Sequence, residues 1–147
     1  MDILKLFKSI RAKRSLLNTL ELEREQLRLS LLPSGIRYDT DRVQTSPTDR
    51  MLETAAELSD LDQKINDQIA RIRTDIDLAH DVIQKIPTPE YQQLLHLRYL
   101  VVSKKNPRGV MSWEEVADEM GYSPAHIKGY MHGKAVAEAR QVWRSLS

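Results

Sequence analysis

The amino-acid sequence predicts an all-α protein in which long coiled-coil helices are followed by a C-terminal helix-turn-helix domain. Three observations support this fold class. The chain is highly charged and poor in aromatic residues and glycine, with 29% charged residues, 5% aromatic residues and 5 glycines among 147 residues, whereas β-sandwiches favour aromatic and β-branched residues. Apolar heptad patterns occupy residues 1–32 and 48–86. Capped helix starts follow in the remainder of the chain.

Residues 1–32 are predicted to form an N-terminal heptad helix. Alternating steps of three and four residues select nine positions, of which seven are apolar. These positions are Ile3, Leu6, Ile10, Lys13, Leu17, Leu20, Arg24, Leu27 and Leu31. Pro33 ends this helix, and residues 33–47 are a linker by composition. At the end of the linker, Ser46 fits the N-cap and Pro47 the first position of the next helix.

Residues 48–86 carry the strongest pattern in the chain and are predicted to form a long coiled-coil helix. Ten of eleven successive a and d positions are apolar. These positions are Met51, Ala55, Leu58, Asp62, Ile65, Ile69, Ile72, Ile76, Ala79, Ile83 and Ile86. Asp62 is costly at a core position, so we expect it either to fix the helix register or to mark a solvated end.

A helix of this length needs a partner for its apolar stripe. Two partners fit the sequence, namely residues 2–32 folded back as an antiparallel hairpin, or the same helix of another subunit. We expect a homo-oligomer, with a dimer favoured. The residues predicted to mediate oligomerisation are Leu58, Ile65, Ile69, Ile72, Ile76 and Ile83.

Residues 88–147 are predicted to form the helix-turn-helix domain. Helix starts are expected at Thr88, Ser112 and Ser123, each a hydroxyl-bearing residue that can cap a helix. The three helices are expected to run to about Val102, Met120 and Ser145.

The turn between the last two helices consists of Gly121, Tyr122 and Ser123. A glycine suits the left-handed residue that ends many helices, and two helices joined by such a short turn form the helix-turn-helix arrangement. This unit places the start of its second helix in a DNA major groove. We expect that second helix to bury Ile127, Tyr130 and Met131.

The exposed start of the second helix is the predicted DNA-binding surface. Residues 123–147 carry four Lys and Arg residues against one acidic residue, a net charge of +3, which suits contact with phosphates. The predicted DNA-binding residues are Ser123, Pro124, Ala125, His126, Lys128, Gly129, His132 and Lys134. Three more cations lie in a basic loop that either contacts phosphates or is simply solvated, namely Lys104, Lys105 and Arg108.

Base readout by this helix is expected to be modest. Pro124 and Ala125 can touch a thymine methyl group but cannot form a hydrogen bond with guanine. Direct readout therefore depends on His126, Lys128 and His132.

The segments LLHLRYL at 94–100 and SWEEVADEMGYSPAHIKGYMHGKAVAEAR at 112–140 resemble region 4 of bacterial sigma factors. Together with the linker residues 38–39 and 43–47, they make the chain similar to sigma-like, ArpU-type late transcriptional regulators of phages and prophages of Gram-positive bacteria. The resemblance rests on matching positions at Leu95, Leu97, Arg98, Tyr99, Ser112, Glu115, Val116, Ala117, Gly121, Ser123, Ile127, Lys134 and Ala135.

This resemblance implies a transcriptional regulator that binds double-stranded DNA in the cytoplasm of a bacterial host cell. It also makes host RNA polymerase a candidate partner. The sequence has no counterpart of sigma region 2, so we do not expect the chain to open promoters by itself. Two alternatives stay open, a small terminase-like DNA-packaging protein and a non-DNA interaction protein that captures a host factor through its coiled coil.

Several other classes of function are not expected. The chain has no cysteine, and its four histidines show no metal-ligand spacing, so we predict no metal, no cofactor and no thiol chemistry. No nucleophile or acid–base motif indicates an enzyme. No apolar run reaches the roughly 20 residues that a membrane span needs, and no membrane partner is expected.

Overall fold

The structure is a computed structural model that describes residues 2–31, 47–105 and 109–146. Its regular elements are helices, which confirms the predicted all-α class, and the only strand-like feature among the described residues is an isolated antiparallel bridge between Val102 and Val110. The helices are α1 (Ile3–Ser30), α2 (Pro47–Ile83), α3 (Pro89–Leu95), α4 (Trp113–Met120), α5 (Pro124–His126) and α6 (His132–Leu146). Two π-helical turns, His96–Leu100 and Ile127–Met131, continue α3 and join α5 to α6.

Helices α1 and α2 pack against each other as an antiparallel pair, here called the hairpin. Lys13 Nζ lies 2.6 Å from Asp75 Oδ2, and Arg24 Nη1 lies 3.4 Å from Asp62 Oδ1. Later residues of α1 therefore meet earlier residues of α2. Of the two partners proposed for the apolar stripe of α2, the structure shows α1 of the same chain.

The buried face of α2 is broader than the predicted heptad positions. Leu61 and Gln68 are buried although they lie one residue away from those positions. Asp62 is exposed and pairs with Arg24 at the edge of the hairpin, so it marks a solvated position rather than a buried core charge. An exposed ion pair avoids the desolvation cost that a buried carboxylate would carry.

The residues predicted to mediate oligomerisation divide into two groups. Ile65, Ile72 and Ile83 are buried within the single chain. Leu58 and Ile76 are partly exposed, as is Ile69. The first group therefore serves packing within this chain, whereas the homo-oligomer itself stays a prediction.

The N-terminal turns of α1 and the C-terminal end of α2 share one core with the elements after residue 88. Ile3, Phe7 and Ile10 are fully buried in this core, and the ring of Phe7 stacks on that of Tyr99 at a centroid distance of 5.2 Å. The predicted domain boundary near Pro87 therefore lies between two helices, but the hydrophobic core continues across it. We call the part formed by residues 88–105 and 109–146 the head.

The first helix of the head ends earlier than predicted. Its regular α-helix stops at Leu95, the π-helical turn follows, and Val101 has an extended backbone with φ −86° and ψ 139°. The hydroxyl of Thr88 does not cap α3; instead it donates a hydrogen bond to Glu138 Oε2 at 2.9 Å. This bond joins the start of α3 to α6.

We predict that Ile83→Ala lowers the free energy of unfolding by about 2–5 kcal/mol, because the truncation leaves a cavity in the shared core. Chemical denaturation monitored by circular dichroism measures this change. Leu78→Ala, which shortens a partly exposed side chain of the same helix, serves as the control and should cost about 1 kcal/mol or less. Equal losses for the two variants would contradict the shared core.

Candidate nucleic-acid interface

The turn before the candidate DNA-binding helix is built by local interactions that the sequence predicted. Ser112 Oγ accepts a hydrogen bond from the backbone N–H of Glu115 and so caps α4. Gly121 ends α4 with φ +78°, a left-handed conformation that glycine adopts without strain. Ser123 Oγ then accepts from the N–H of His126 and caps the next helix. These predicted caps and the C-terminal glycine are confirmed.

Packing against α4 decides which side of that next helix faces the solvent. Val116 and Ala117 of α4 are fully buried, as is Ile127 in the π-helical turn, and they belong to the same core. Seven of the eight residues predicted at this surface are exposed. They are Ser123, Pro124, Ala125, His126, Lys128, Gly129 and Lys134.

Part of the exposed helix surface is bare of side chains. A Cβ atom added at Gly129 or at Gly133 would meet nothing within 4 Å. Neither glycine is therefore required by packing inside the head. Together with the small side chain of Ala125, they allow another molecule to come close to the helix backbone.

His132 is the exception, because its side chain is partly buried and has partners inside the head. Its Nε2 lies 2.7 Å from the hydroxyl oxygen of Tyr99, and its ring forms a T-shaped contact with the ring of Trp113 at a centroid distance of 4.9 Å. Burial, with smaller contributions from the positive charges of Arg98 and Lys8, lowers the pKa of His132 to about 4. The imidazole is therefore neutral at pH 7 and is part of the head's internal packing.

Tyr130 was predicted to be buried, and this prediction is wrong because its side chain is 51% exposed. Its ring stacks on that of His126 with a centroid distance of 5.1 Å and an interplanar angle of 23°. His126 lies equally close, at 5.1 Å, to the ring of Tyr122. We call Tyr122, His126 and Tyr130 the aromatic column, and Lys134 Nζ lies 4.6 Å from the Tyr130 ring centroid.

The sequence contains a signal for part of this column. Residues 126, 130 and 134 are spaced four apart on the helix after Ser123, which places their side chains beside one another. A burial expectation based on apolar character alone therefore missed a tyrosine that packs along the helix surface.

The positive charge of this helix is less available than the net charge of +3 indicates. Arg140 donates to both carboxylate oxygens of Asp2 at 3.1 Å, and this contact lowers the pKa of Asp2. Lys128 and Lys134 are exposed. These two lysines are consequently the main candidates for contacts with phosphates.

The basic loop lies beside acidic side chains. Lys104 and Lys105 line a groove of about 260 Å³ together with Glu115, Asp118 and Glu119. The phosphates of a nucleic acid in this groove would be repelled by the carboxylates as well as attracted by the ammonium groups. The geometry therefore favours a basic loop that is solvated rather than one that contacts phosphates. The third predicted cation, Arg108, lies outside the described residues, as do linker residues 33–46.

Two further findings concern metals and membranes. Within residues 2–31, 47–105 and 109–146, no three His, Cys, Asp or Glu side chains are grouped so that they could hold a metal ion. None of the helices in the described part of the chain is long and apolar enough to cross a membrane.

The chain matches no protein-family model, no curated protein and no solved structure in the three comparisons made. The resemblance to sigma region 4 and to phage late regulators therefore stays a prediction from the sequence.

The depressed pKa of His132 predicts a pH dependence of stability. A histidine that is harder to protonate in the folded protein contributes stability above its unfolded pKa of about 6.5, and this stability is lost as the pH falls towards 4. After allowing for partial solvent screening, we expect the contribution to be about 1–2 kcal/mol.

Urea unfolding of the wild type and of His132→Gln at pH 7 and pH 4.5 isolates this contribution, because the other titrating groups are common to both proteins. The wild type should lose more stability on acidification than the variant does. His126→Gln, at an exposed position, should behave like the wild type. A His132 resonance that titrates near pH 6.5 by NMR would contradict the buried, neutral imidazole.

Proposed function

We propose that this chain is a phage-encoded transcriptional regulator that binds double-stranded DNA through the helix beginning at Ser123. The observation that carries the proposal is the exposure, on one helix, of seven of the eight residues predicted for DNA contact. The surface combines two lysines with short side chains and glycines. That combination suits an approach to the phosphates and to base edges.

The helix would lie in the major groove with its N-terminal end closest to the bases. Lys128 and Lys134 would contact phosphates and supply affinity that does not depend on sequence. Pro124 and Ala125 would contact thymine methyl groups, and His126 would form a hydrogen bond with a base-edge acceptor. With His132 turned inward, base readout is narrower than the sequence predicted, so a second copy or another protein would have to add specificity.

The charge of the hairpin would set the orientation of the molecule on DNA. Its end opposite the shared core, formed by residues 22–31 and 49–67 and called the distal end, carries eight carboxylates against four cations. Such a surface is repelled by the phosphate backbone, whereas the helix after Ser123 is attracted to it. In this proposal the coiled-coil hairpin binds a second copy or RNA polymerase while the sigma region 4-like helix-turn-helix contacts the duplex.

A second candidate function is supported by the apolar side chains at the distal end. Leu22, Leu29 and Leu52 are each more than half exposed, as is Met51. Large apolar side chains exposed at one end of a helix pair are candidates for protein–protein contact. The chain would then be an interaction protein that captures a host factor through the hairpin, without binding DNA.

Lys128→Ala should weaken binding to duplex DNA and reduce the slope of log K against log salt concentration by about 0.9, the value expected for one lost phosphate contact. Titration of a labelled duplex by fluorescence anisotropy at several salt concentrations measures both quantities. Lys64→Ala, which removes an exposed lysine of the hairpin, is the charge-matched control and should leave the slope unchanged.

An unchanged slope for Lys128→Ala would show that the proposed surface is not the one that meets DNA. Selection of bound fragments from the source genome, combined with a solution mass, would identify the site and the stoichiometry. Absence of duplex binding at low salt, with retained pull-down of a host protein, would favour the interaction protein. A ring of eight or more subunits would favour the terminase-like alternative.

A further inference from the structure

The aromatic column contains one stacked pair of rings and one tilted ring contact. The rings of His126 and Tyr130 are stacked at an interplanar angle of 23°, whereas those of Tyr122 and His126 are tilted at 31°. Single-stranded nucleic acids bind to aromatic side chains through open ring faces on which bases stack. In the stacked pair of His126 and Tyr130 the facing ring surfaces are already covered, and Lys134 lies over the Tyr130 ring, so the geometry favours an anionic ligand over stacked bases.

The two ends of the column differ in charge. At one end, the hydroxyl of Tyr122 donates to Glu90 Oε1 at 3.2 Å. At the other end, the ammonium of Lys134 lies over the ring of Tyr130. An anionic ligand is therefore attracted to the Lys134 end and repelled at the Glu90 end, which sets the direction in which a phosphate chain would approach.

Tyr130 lies between the imidazole of His126 and the ammonium of Lys134. A lysine side chain free in solvent samples many rotamers, and ordering it on binding costs conformational entropy. A ring that holds the ammonium by a cation–π contact, worth about 0.5–1 kcal/mol at an exposed site, places this group before the ligand arrives. The contact with the Tyr130 phenol also raises the pKa of Lys134.

We propose that Tyr130 is a positioning residue for DNA binding, because its ring holds Lys134 where this lysine meets the phosphates of one strand of duplex DNA, beside His126, which faces the base edges. This inference rests on the proposed function and adds to it a residue that touches both groups. The phosphate contact itself belongs to Lys134, and Tyr130 acts through it.

The test compares Tyr130→Phe, Tyr130→Ala, Lys134→Ala and the double variant Tyr130→Ala/Lys134→Ala in the full chain. The probe is a labelled duplex of mixed sequence, titrated at several salt concentrations, with the corresponding single strand as a second probe. Lys64→Ala on the hairpin controls for loss of one positive charge. Thermal unfolding of each variant confirms that these exposed positions leave the fold intact.

We expect Lys134→Ala to lower the salt slope by about 0.9. Tyr130→Ala should weaken duplex binding by about two- to five-fold, the fold-change that corresponds to an exposed cation–π contact, and should lower the salt slope in part. Tyr130→Phe keeps the ring and should retain both the affinity and the slope. The double variant should bind no more weakly than Lys134→Ala, because the two residues act as one unit.

Wild-type affinity and slope in Tyr130→Ala would overturn this inference while leaving the proposed function in place. Additive losses in the double variant would do the same. A Tyr130→Phe variant as weak as Tyr130→Ala would also overturn it, because the Tyr130 hydroxyl, and not the ring, would then be the required group. Tighter binding of the single strand would overturn the assignment to duplex DNA. Absence of duplex binding by the wild type at low salt would overturn the proposed function, and this inference with it.

Discussion

The packing of the first turns of α1 into the head is the contact on which the rest of the structure depends. Ile3, Leu6 and Phe7 are buried there, and each such side chain stabilises the fold by about 1.5–3 kcal/mol relative to an exposed one. One turn further along, Arg11 Nη1 donates to the carbonyl oxygen of Met111 at 2.7 Å. The head therefore completes its core with residues that lie about a hundred positions earlier in the chain, and the hairpin holds the head in a defined orientation.

A cluster of cationic and aromatic side chains connects this core to the candidate DNA-binding helix. Arg98 lies 3.9 Å from the ring centroid of Trp113 and donates to the same Met111 carbonyl at 2.9 Å. Burial and the neighbouring Arg11 lower the pKa of Arg98 to about 10, so it is still charged at pH 7. Its Nε has no hydrogen-bond partner among the described residues, a cost that the aromatic contact offsets in part. Trp113 of this cluster also contacts the ring of His132. This contact holds His132 against the head, so the side of the helix that carries Lys128 and Lys134 faces the solvent.

The charges of the molecule are divided between its two ends, and this division bears on the proposed function. The distal end of the hairpin is acidic and carries exposed leucines, whereas the helix after Ser123 presents Lys128 and Lys134 beside bare glycines. A DNA-binding regulator and a protein-binding adaptor would each use one of these surfaces, and the two uses are compatible in one chain. The aromatic column adds order to the basic surface because the ring of Tyr130 contacts the ammonium group of Lys134.

The sequence by itself determined the features that depend on residues a few positions apart. The caps at Ser112 and Ser123, the left-handed Gly121 and the long α2 follow from side chains that bond to their own backbone or repeat with a helical period. Only the tertiary structure decided which partner covers α2, because α1 and a second subunit offer the same apolar chemistry to its stripe. It also decided the environments of two side chains, His132 and Tyr130: the first packs inward against Tyr99, which is distant in sequence, and the second packs along the helix surface beside His126. Whether a side chain is buried depends on which distant element packs on it. The hydrophobic periodicity of a single segment does not contain that information.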